Sequence, residues 1–290
     1  QAEDGIRDLV LSLVGSEMCI RDRRAVDRGI DLCEERGAVA ATIWMGFTKC
    51  EILVPAGRWD EVLELADDVI AGDAKIGGSQ AGTGATALKA VVLFYRGCEA
   101  EARAVHDSVL DAAREIGDRQ VLAPALSFAA TLAGDSDDKA SVVSLAAEYI
   151  SVTADNPGMR SYYLADVAAA LALFGAAELL EGLVGSARPV GALGEVQVAR
   201  ARGHLAAVGE EWQAAADHFG KAIAAAGPAG RVVDGVLAMI EKARVLATAG
   251  TLEEIPQLLT EARAQAEVMG ATKILRWIDA LEDDAAAAEG

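Results

Sequence analysis

Three histidines are the side chains of this sequence best suited to bind a metal ion or to transfer protons. They are His106, His204 and His218. His204 and His218 flank the turn of one predicted helical hairpin at similar heights, so their rings could face each other. A zinc site needs at least three protein ligands, and the only adjacent carboxylate, Asp217, projects from a different side of its helix. The histidines therefore predict no metal site.

A glycine-rich segment at 77–84 is the next candidate, because such segments can surround a phosphate group with backbone N–H donors. Its sequence is Gly-Gly-Ser-Gln-Ala-Gly-Thr-Gly. A phosphate-binding loop follows a strand and enters its helix with Gly-Lys-Ser/Thr. Here Ala85 follows the last glycine, and Lys89 comes more than a helical turn into the next helix. We expect a flexible loop between helices and no bound nucleotide or other cofactor.

The other reactive side chains show no arrangement that is typical of an active site. Carboxylates occur singly on solvated helix faces, and no serine has a histidine and an acid in a recognisable motif. The cysteines form no CxxC pair or other metal-binding spacing. We expect three of them to be buried small side chains in a reducing, cytoplasmic compartment; they are Cys33, Cys50 and Cys98, and the fourth is Cys19. An enzyme is not predicted.

The composition indicates an all-α protein. The chain has 290 residues, of which 52% are hydrophobic and only 4% aromatic, with six prolines. Small apolar residues with few aromatics and prolines favour closely packed helices. No sustained alternating runs of β-branched and aromatic residues predict a sandwich or barrel.

The charge and the apolar runs exclude two kinds of partner. The net charge is −19, and nucleic acids and anionic membranes would repel it. The longest uninterrupted apolar run, Val167–Ala177, has eleven residues, which is too short to span a bilayer. We therefore expect neither nucleic acid nor membrane as a direct partner.

Glycine spacing indicates a repeated unit of two helices. A glycine commonly follows the last residue of a helix, and one such glycine ends the first helix of each predicted pair. The spacings are 40, 37, 41, 34 and 41 residues, between Gly57, Gly97, Gly134, Gly175, Gly209 and Gly250. A period in this range is the signature of a helical solenoid, and its irregularity indicates degenerate repeats.

Six pairs fill residues 24–281, with a leading helix at Arg24–Arg36 and a capping helix at Thr272–Leu281. An acidic tail at 282–290 follows. Thr251 to Glu254 form a capping-box pattern, and Pro256 shifts the start of that helix towards Glu254. The pairs are Ala38–Leu53 with Trp59–Ala71, Gly82–Arg96 with Cys98–Ile116, Val121–Ala133 with Asp138–Ile150, Met159–Phe174 with Ala176–Val184, a fifth beginning near Leu193, and Arg231–Thr248 with Leu252–Met269.

The clearest copy of the unit is Gly203–Ala226. Trp212, Ala215, Phe219 and Ala222 lie three, four and three residues apart, so they share one helix face. A small residue in the first helix, followed nine residues later by an aromatic and then by this spacing, resembles the tetratricopeptide repeat. The resemblance implies an α-solenoid of about six degenerate hairpins. It also implies an elongated, curved particle whose first helices line a concave groove that binds a partner protein or peptide.

The repeat register implies four groove residues. Counting from Gly203 and Trp212 gives Arg200 and His204, and the same register from the fourth and sixth units gives Tyr162 and Arg244. Counting the fifth unit from Gly209 instead shifts its register by one residue. His204 is a candidate for recognition, and a histidine that serves packing alone is an equally good interpretation.

Charge is divided unevenly between the two helices of a pair. The first helices of the six pairs carry a net charge of +4 and the second helices carry −17. One interpretation is a neutral-to-basic groove that binds an acidic or carboxylate-bearing peptide. The other is that convex faces are more solvated and simply collect charge.

Residues 1–23 differ from the rest of the chain. Gly5–Arg23 contains Ile-Arg-Asp twice and resembles translated sequencing-adaptor DNA, so we predict an artefactual or disordered leader. Asp4, Arg7 and Asp8 argue against a signal peptide.

The alanine-rich array resembles the C-terminal repeats of large bacterial signalling ATPases. Two such groups are ATPases linked to nucleotidyl cyclases and ATP-dependent transcriptional activators. The resemblance implies a non-catalytic, regulatory interaction scaffold. The alternative is an all-α enzyme or a helical domain that binds a small ligand.

Overall fold

The computed structural model describes residues 20–289, with side chains from 24 to 284. The leader predicted at 1–23 falls largely outside this range. Within it the chain forms fifteen α-helices and no β-strand, so the all-α prediction is confirmed there. The helices are α1 Ile20–Glu35, α2 Val39–Leu53, α3 Trp59–Lys75, α4 Gln80–Tyr95, α5 Glu99–Ile116, α6 Arg119–Asp135, α7 Lys139–Val152, α8 Pro157–Arg160, α9 Leu164–Leu173, α10 Ala177–Gly185, α11 Gly191–Val208, α12 Trp212–Ala226, α13 Val232–Thr248, α14 Ile255–Met269 and α15 Thr272–Glu289.

Helices that follow one another along the chain pack together. α2 packs on α3, α4 on α5, α6 on α7, α9 on α10, α11 on α12, and α13 on α14. The first helices of neighbouring pairs also contact one another, in the order α2, α4, α6, α9, α11, α13. We call the side that these six helices form the concave face. This packing is consistent with a helical solenoid. In the described part of the chain, no helix is both long and apolar enough to cross a membrane.

The turns between paired helices depend on residues in the left-handed conformation. Four of the predicted glycines adopt it, with φ from 62° to 84°; they are Gly57, Gly97, Gly175 and Gly250. In the other two turns Asp137 and Glu210 adopt it, both at φ 58°, instead of Gly134 and Gly209. Those two predicted positions are wrong because a turn needs one left-handed residue, and in these turns a later residue supplies it.

The fourth pair differs most from its prediction, because its first helix is broken. A short α8 precedes α9, where one helix over Met159–Phe174 was expected. Asn156 starts α8, its side-chain oxygen accepting a hydrogen bond from the Met159 N–H at 2.9 Å. The connection is held from α6, where the Ser127 hydroxyl donates to the carbonyl of Tyr163 at 3.0 Å.

Three smaller expectations meet mixed outcomes. Glu254 directly precedes α14 and Pro256 lies in its first turn, as predicted, but no side chain caps this helix, so the capping-box prediction is wrong. α15 is longer than the predicted capping helix and includes most of the predicted tail. Cys33 and Cys50 are buried as expected, whereas Cys98 is exposed.

The pairing of α11 and α12 confirms the predicted shared face. Ala215, Phe219 and Ala222 are almost completely buried. A Cβ atom placed on Gly203 would lie 2.6 Å from the Phe219 ring, so the glycine lets the ring fill the space between the two helices.

The two ends of the array meet, which the sequence did not predict. The Val233 N–H of α13 donates to the carbonyl of Pro55, between α2 and α3, at 3.0 Å. The side chain of Met269 occupies the space beside Gly57. One apolar cluster consequently runs from Ile43 in α2 to Ile278 in α15. The expected elongated curve with separate ends is therefore corrected to an array that closes on itself.

The helix α15 strengthens this closure. Lys273 forms ion pairs with Glu99 at 3.1 Å and Asp135 at 2.6 Å, and Arg276 pairs with the same Glu99. The Trp277 ring meets the Tyr95 ring edge to face at 6.2 Å. The last helix thus connects the sixth pair to the second and third.

We predict that Gly203→Ala destabilises the protein by about 1–3 kcal/mol, because a new methyl group overpacks the contact with Phe219. The matched control is Gly182→Ala in α10, where a Cβ atom meets nothing within 4 Å and alanine should stabilise the helix by up to about 1 kcal/mol. Urea denaturation measures both. Equal effects of the two substitutions would show that Gly203 is not a packing residue.

Candidate binding cavity

A cavity of about 380 Å³ lies on the concave face. Its lining is mostly apolar and comes from α4, α6, α9, α11 and α13, with Phe219 of α12 and Trp277 of α15. Leu173 and Arg244 belong to the lining and are exposed, which marks the side that opens to solvent.

The structure brings three of the four predicted groove residues to this cavity. Arg200, His204 and Arg244 line it, and Tyr162 is not in the lining. Tyr162 lies in the connection before α9 and is half-buried, because the helix that the register assumed is broken there.

Arg200 is the most buried charged side chain of the cavity, at 2% exposure. Its Nε and Nη2 donate to the two oxygens of Glu241, at 3.0 and 2.6 Å. Its Nη1 donates to Asp234 at 3.1 Å and to Asp166 at 3.3 Å. The guanidinium is therefore neutralised within the chain by three carboxylates.

A second layer of hydrogen bonds holds Asp234 in place. Gln197 donates to its Oδ1 at 2.7 Å, and Arg231 donates to its Oδ2 at 2.7 Å. The side-chain oxygen of Gln197 accepts from the Ala165 N–H of α9 at 3.0 Å. Side chains of α11 and α13 are thereby connected to the start of α9.

The carboxylates differ in their protonation chemistry. Burial alone would raise the pKa of Glu241, but the charges of Arg200 and His204 outweigh it and lower that pKa to about 2. Burial raises the pKa of Asp166, and the negative charges of Asp234 and Glu241 add to this against the opposing effect of Arg200. Glu241 is thus the firmly ionised partner of Arg200, and Asp166 is the carboxylate that binds its proton most readily.

His204 lies beside this cluster. Its Nε2 is 3.1 Å from Oε1 of Glu241, but the two atoms are not aligned as a hydrogen bond. Its ring meets Phe219 edge to face at 5.1 Å. His204 therefore serves both packing and the polar end of the cavity, so both interpretations made from the sequence describe part of its environment.

No protein-family model matches this chain, and no curated protein matches it. The resemblance to tetratricopeptide arrays and to signalling ATPases thus stays a prediction, and the function has to be argued from the cavity itself.

Sequence reasoning missed the carboxylates that neutralise Arg200, because Asp166, Asp234 and Glu241 were taken for solvated charges. A signal was present in their spacing. Asp166, Arg200 and Asp234 lie at intervals of 34 residues, which is the period of the tetratricopeptide repeat. Residues one period apart occupy equivalent positions on successive first helices, so opposite charges at that spacing predict an ion pair between neighbouring repeats.

The excess of positive charge on the first helices does not reach the cavity. Lys89 pairs with Asp67 of α3 at 2.6 Å, and Lys242 pairs with Glu254, which precedes α14, at 2.5 Å. With Arg200 also paired, Arg244 is the cation of the lining for which the described residues supply no acidic partner. These pairings leave the cavity wall without the basic character that the segment charges suggested.

The other sequence candidates lie apart from the cavity. His106 is buried, its Nε2 lies 3.0 Å from the carbonyl oxygen of Ala125 and its ring packs on Phe128. His218 is half-buried, and burial and the charges of Lys221 and Arg202 lower its pKa. Among the residues that the structure describes, no group of three potential ligands could hold a metal ion.

The glycine-rich segment is a helix cap. Ser79 starts α4, and its own N–H and hydroxyl both donate to the Asp73 carboxylate, at 2.6 and 2.5 Å. A carboxylate already takes the place at which a phosphate would meet these donors.

We predict that Arg200→Met costs about 3–5 kcal/mol of stability, because it leaves three carboxylates without their buried cation. Arg114→Met is the matched control, since Arg114 forms a two-pronged pair with Glu148 that is open to solvent and should cost only about 0–1 kcal/mol. Urea denaturation measures both. A cost for Arg200→Met as small as the control's would contradict the structural role given to the cluster.

We also predict that His106 makes the fold less stable in acid. Burial lowers its pKa from 6.5 to about 4, so the unfolded chain binds a proton that the folded chain rejects, and stability falls as the pH drops below about 6.5. Between about pH 7.5 and pH 5 the loss should be roughly 2 kcal/mol. His106→Gln should remove this contribution, and His218→Gln should remove less. Denaturant titration at the two pH values decides it, and an unchanged slope in His106→Gln would contradict the prediction.

Proposed function

We propose that this chain is a non-catalytic binding module that takes a short segment of a partner protein or peptide into the cavity of its concave face. The observation that carries the proposal is the cavity of about 380 Å³, which lies within the range of about 300–1,000 Å³ that is usual for binding pockets. Its apolar walls would bury side chains of the segment, and its polar end would orient them.

We propose further that the array consists of about six degenerate tetratricopeptide-like hairpins. The pairwise packing of successive helices supports this, as do the left-handed glycines of four turns. The close contact of Gly203 with Phe219 adds support, because the repeat pattern places a small residue opposite an aromatic.

The chemistry of the cavity favours binding over catalysis. Its charged groups mostly bond one another, as Arg200 does with three carboxylates. The hydroxyl of Thr131 donates to the backbone carbonyl of Ser127 at 3.3 Å. The described residues contribute no serine, cysteine or lysine to the lining, and these are the usual nucleophiles of covalent catalysis.

A second candidate function is the binding of a small molecule within the same cavity. The enclosure of the cavity by helices from both ends of the array favours it, because a small ligand would be surrounded on several sides. The two candidates differ in what may extend through the open side at Leu173 and Arg244.

A screen of fluorescein-labelled, N-acetylated octapeptides by fluorescence anisotropy tests the proposal. The peptides carry leucine, phenylalanine, alanine, glutamate or lysine at their central positions. Peptides with apolar centres should bind, and Ala207→Trp, which fills the cavity from α11, should weaken binding by about tenfold or more. The matched control is Ala224→Trp at an exposed position of α12, which should leave binding unchanged.

The outcomes separate the candidates. Binding that both tryptophan variants weaken equally, or that neither weakens, would contradict a peptide site in this cavity. Preference for the glutamate peptides would favour the acidic partner considered from the sequence, with Arg244 as its contact.

We propose that the array is the regulatory part of a larger bacterial signalling or transcription-regulating ATPase. The alanine-rich degenerate repeats support this. Long-read sequencing of the source DNA upstream of codon 24 tests it. Nucleotide-binding motifs in the same reading frame are expected, and a start codon directly before the array would contradict the proposal.

A further inference from the structure

Of the three carboxylates around Arg200, Asp166 is the one that faces the cavity. Its side chain is 35% exposed, against 7% for Asp234 and 10% for Glu241. Its contact with Arg200, at 3.3 Å, is also the longest of the three. Asp166 therefore keeps acceptor capacity that the chain itself does not use.

The surrounding charges leave a negative excess at this point. Arg200 and Arg231 supply two positive charges, and Asp166, Asp234 and Glu241 supply three negative ones. Arg200 already donates through all three of its nitrogen atoms to these carboxylates. An anionic ligand would have to displace a carboxylate to reach it, whereas a cationic ligand would complete the neutralisation.

The aromatic walls favour the same sign of charge, because the faces of aromatic rings attract cations. Tyr95 lies close enough to Asp166 for that carboxylate's charge to contribute, after burial, to raising the pKa of the tyrosine. Phe94 and Trp277 complete this part of the wall.

The chain already holds one ammonium group in such a setting. The Nζ of Lys273 lies 4.5 Å from the centre of the Phe94 ring and 5.6 Å from that of Trp277, and it pairs with Asp135 at 2.6 Å. Asp135, Phe94 and Trp277 all line the cavity. One carboxylate of the wall thus has its ammonium partner, and Asp166 has only its share of Arg200.

We propose that the cavity recognises an ammonium group carried on an apolar chain, with Asp166 as its ionic partner and the aromatic wall around its alkyl part. This rests on the proposed function and names the chemistry of the bound segment: a lysine side chain or a free amino terminus. It departs from the acidic partner that the segment charges suggested, because the first-helix cations are used within the chain.

Isothermal titration calorimetry of the whole chain with three probes of equal length tests the proposal: n-hexylamine, 1-hexanol and sodium hexanoate, at one ionic strength and about pH 7. Hexylamine is expected to bind about tenfold more tightly than hexanol, and hexanoate more weakly than either. Asp166→Asn should abolish the preference for the amine, and Asp166→Glu should keep part of it. Asp68→Asn, which removes the same charge from an exposed position of α3, should change nothing. Circular dichroism and thermal denaturation verify that each variant is folded.

Two octapeptides identify the source of the ammonium group. One is N-acetylated with a central lysine, and the other has norleucine there and a free amino terminus. Tighter binding of either, lost in Asp166→Asn, supports the proposal and names the source.

Hexanoate binding more tightly than hexylamine, or an amine preference that Asp166→Asn leaves intact, would overturn it. Equal binding of all three probes would also overturn the ammonium assignment while leaving an apolar binding cavity in place. The octapeptide screen with Ala207→Trp judges the proposed function separately, so the two failures are distinguishable.

Discussion

The burial of Arg200 is the constraint on which the middle of this structure depends. Moving a guanidinium group out of water costs several kcal/mol unless carboxylates and hydrogen bonds replace the water. Here the replacement comes from α9 through Asp166 and from α13 through Asp234 and Glu241. Since the cation projects from α11, the ion pairs fix three consecutive first helices relative to one another. Apolar packing between alanine-rich helices fixes such a register less firmly, because small side chains interlock little.

Local features of the fold could be predicted from the sequence, and features that depend on distant contacts could not. Helix pairs followed from glycine spacing and from stripes such as the one through Trp212 and Phe219, because both act within a few residues. The break between α8 and α9 depends partly on a hydrogen bond from Ser127, some 36 residues earlier in the chain, and no local pattern records it. The meeting of Pro55 with Val233 is more distant still, and it depends on how the small rotations between successive pairs add up.

The cavity shows the same division. Repeat register led to Arg200, His204 and Arg244, because register is a local property of each unit. It failed for Tyr162, where the helix is interrupted. The carboxylates around Arg200 escaped notice because each, considered alone on its helix, has the character of a solvated charge. Only the 34-residue spacing relates them, and its meaning becomes clear once neighbouring first helices are known to pack side by side.

Closure of the array creates the cavity. Small residues on α9 and α11, such as Ala169, Ala170 and Ala207, leave space on the concave face, and aromatic side chains enclose it. Tyr95 comes from the second pair and Trp277 from the last helix, so the wall forms only when the two ends of the array are in contact. A ligand that binds between them binds the closed array better than an open one. By mass action such a ligand stabilises the closed form. Occupancy of the cavity and the position of α15 are then thermodynamically linked, and either one is able to report on the other.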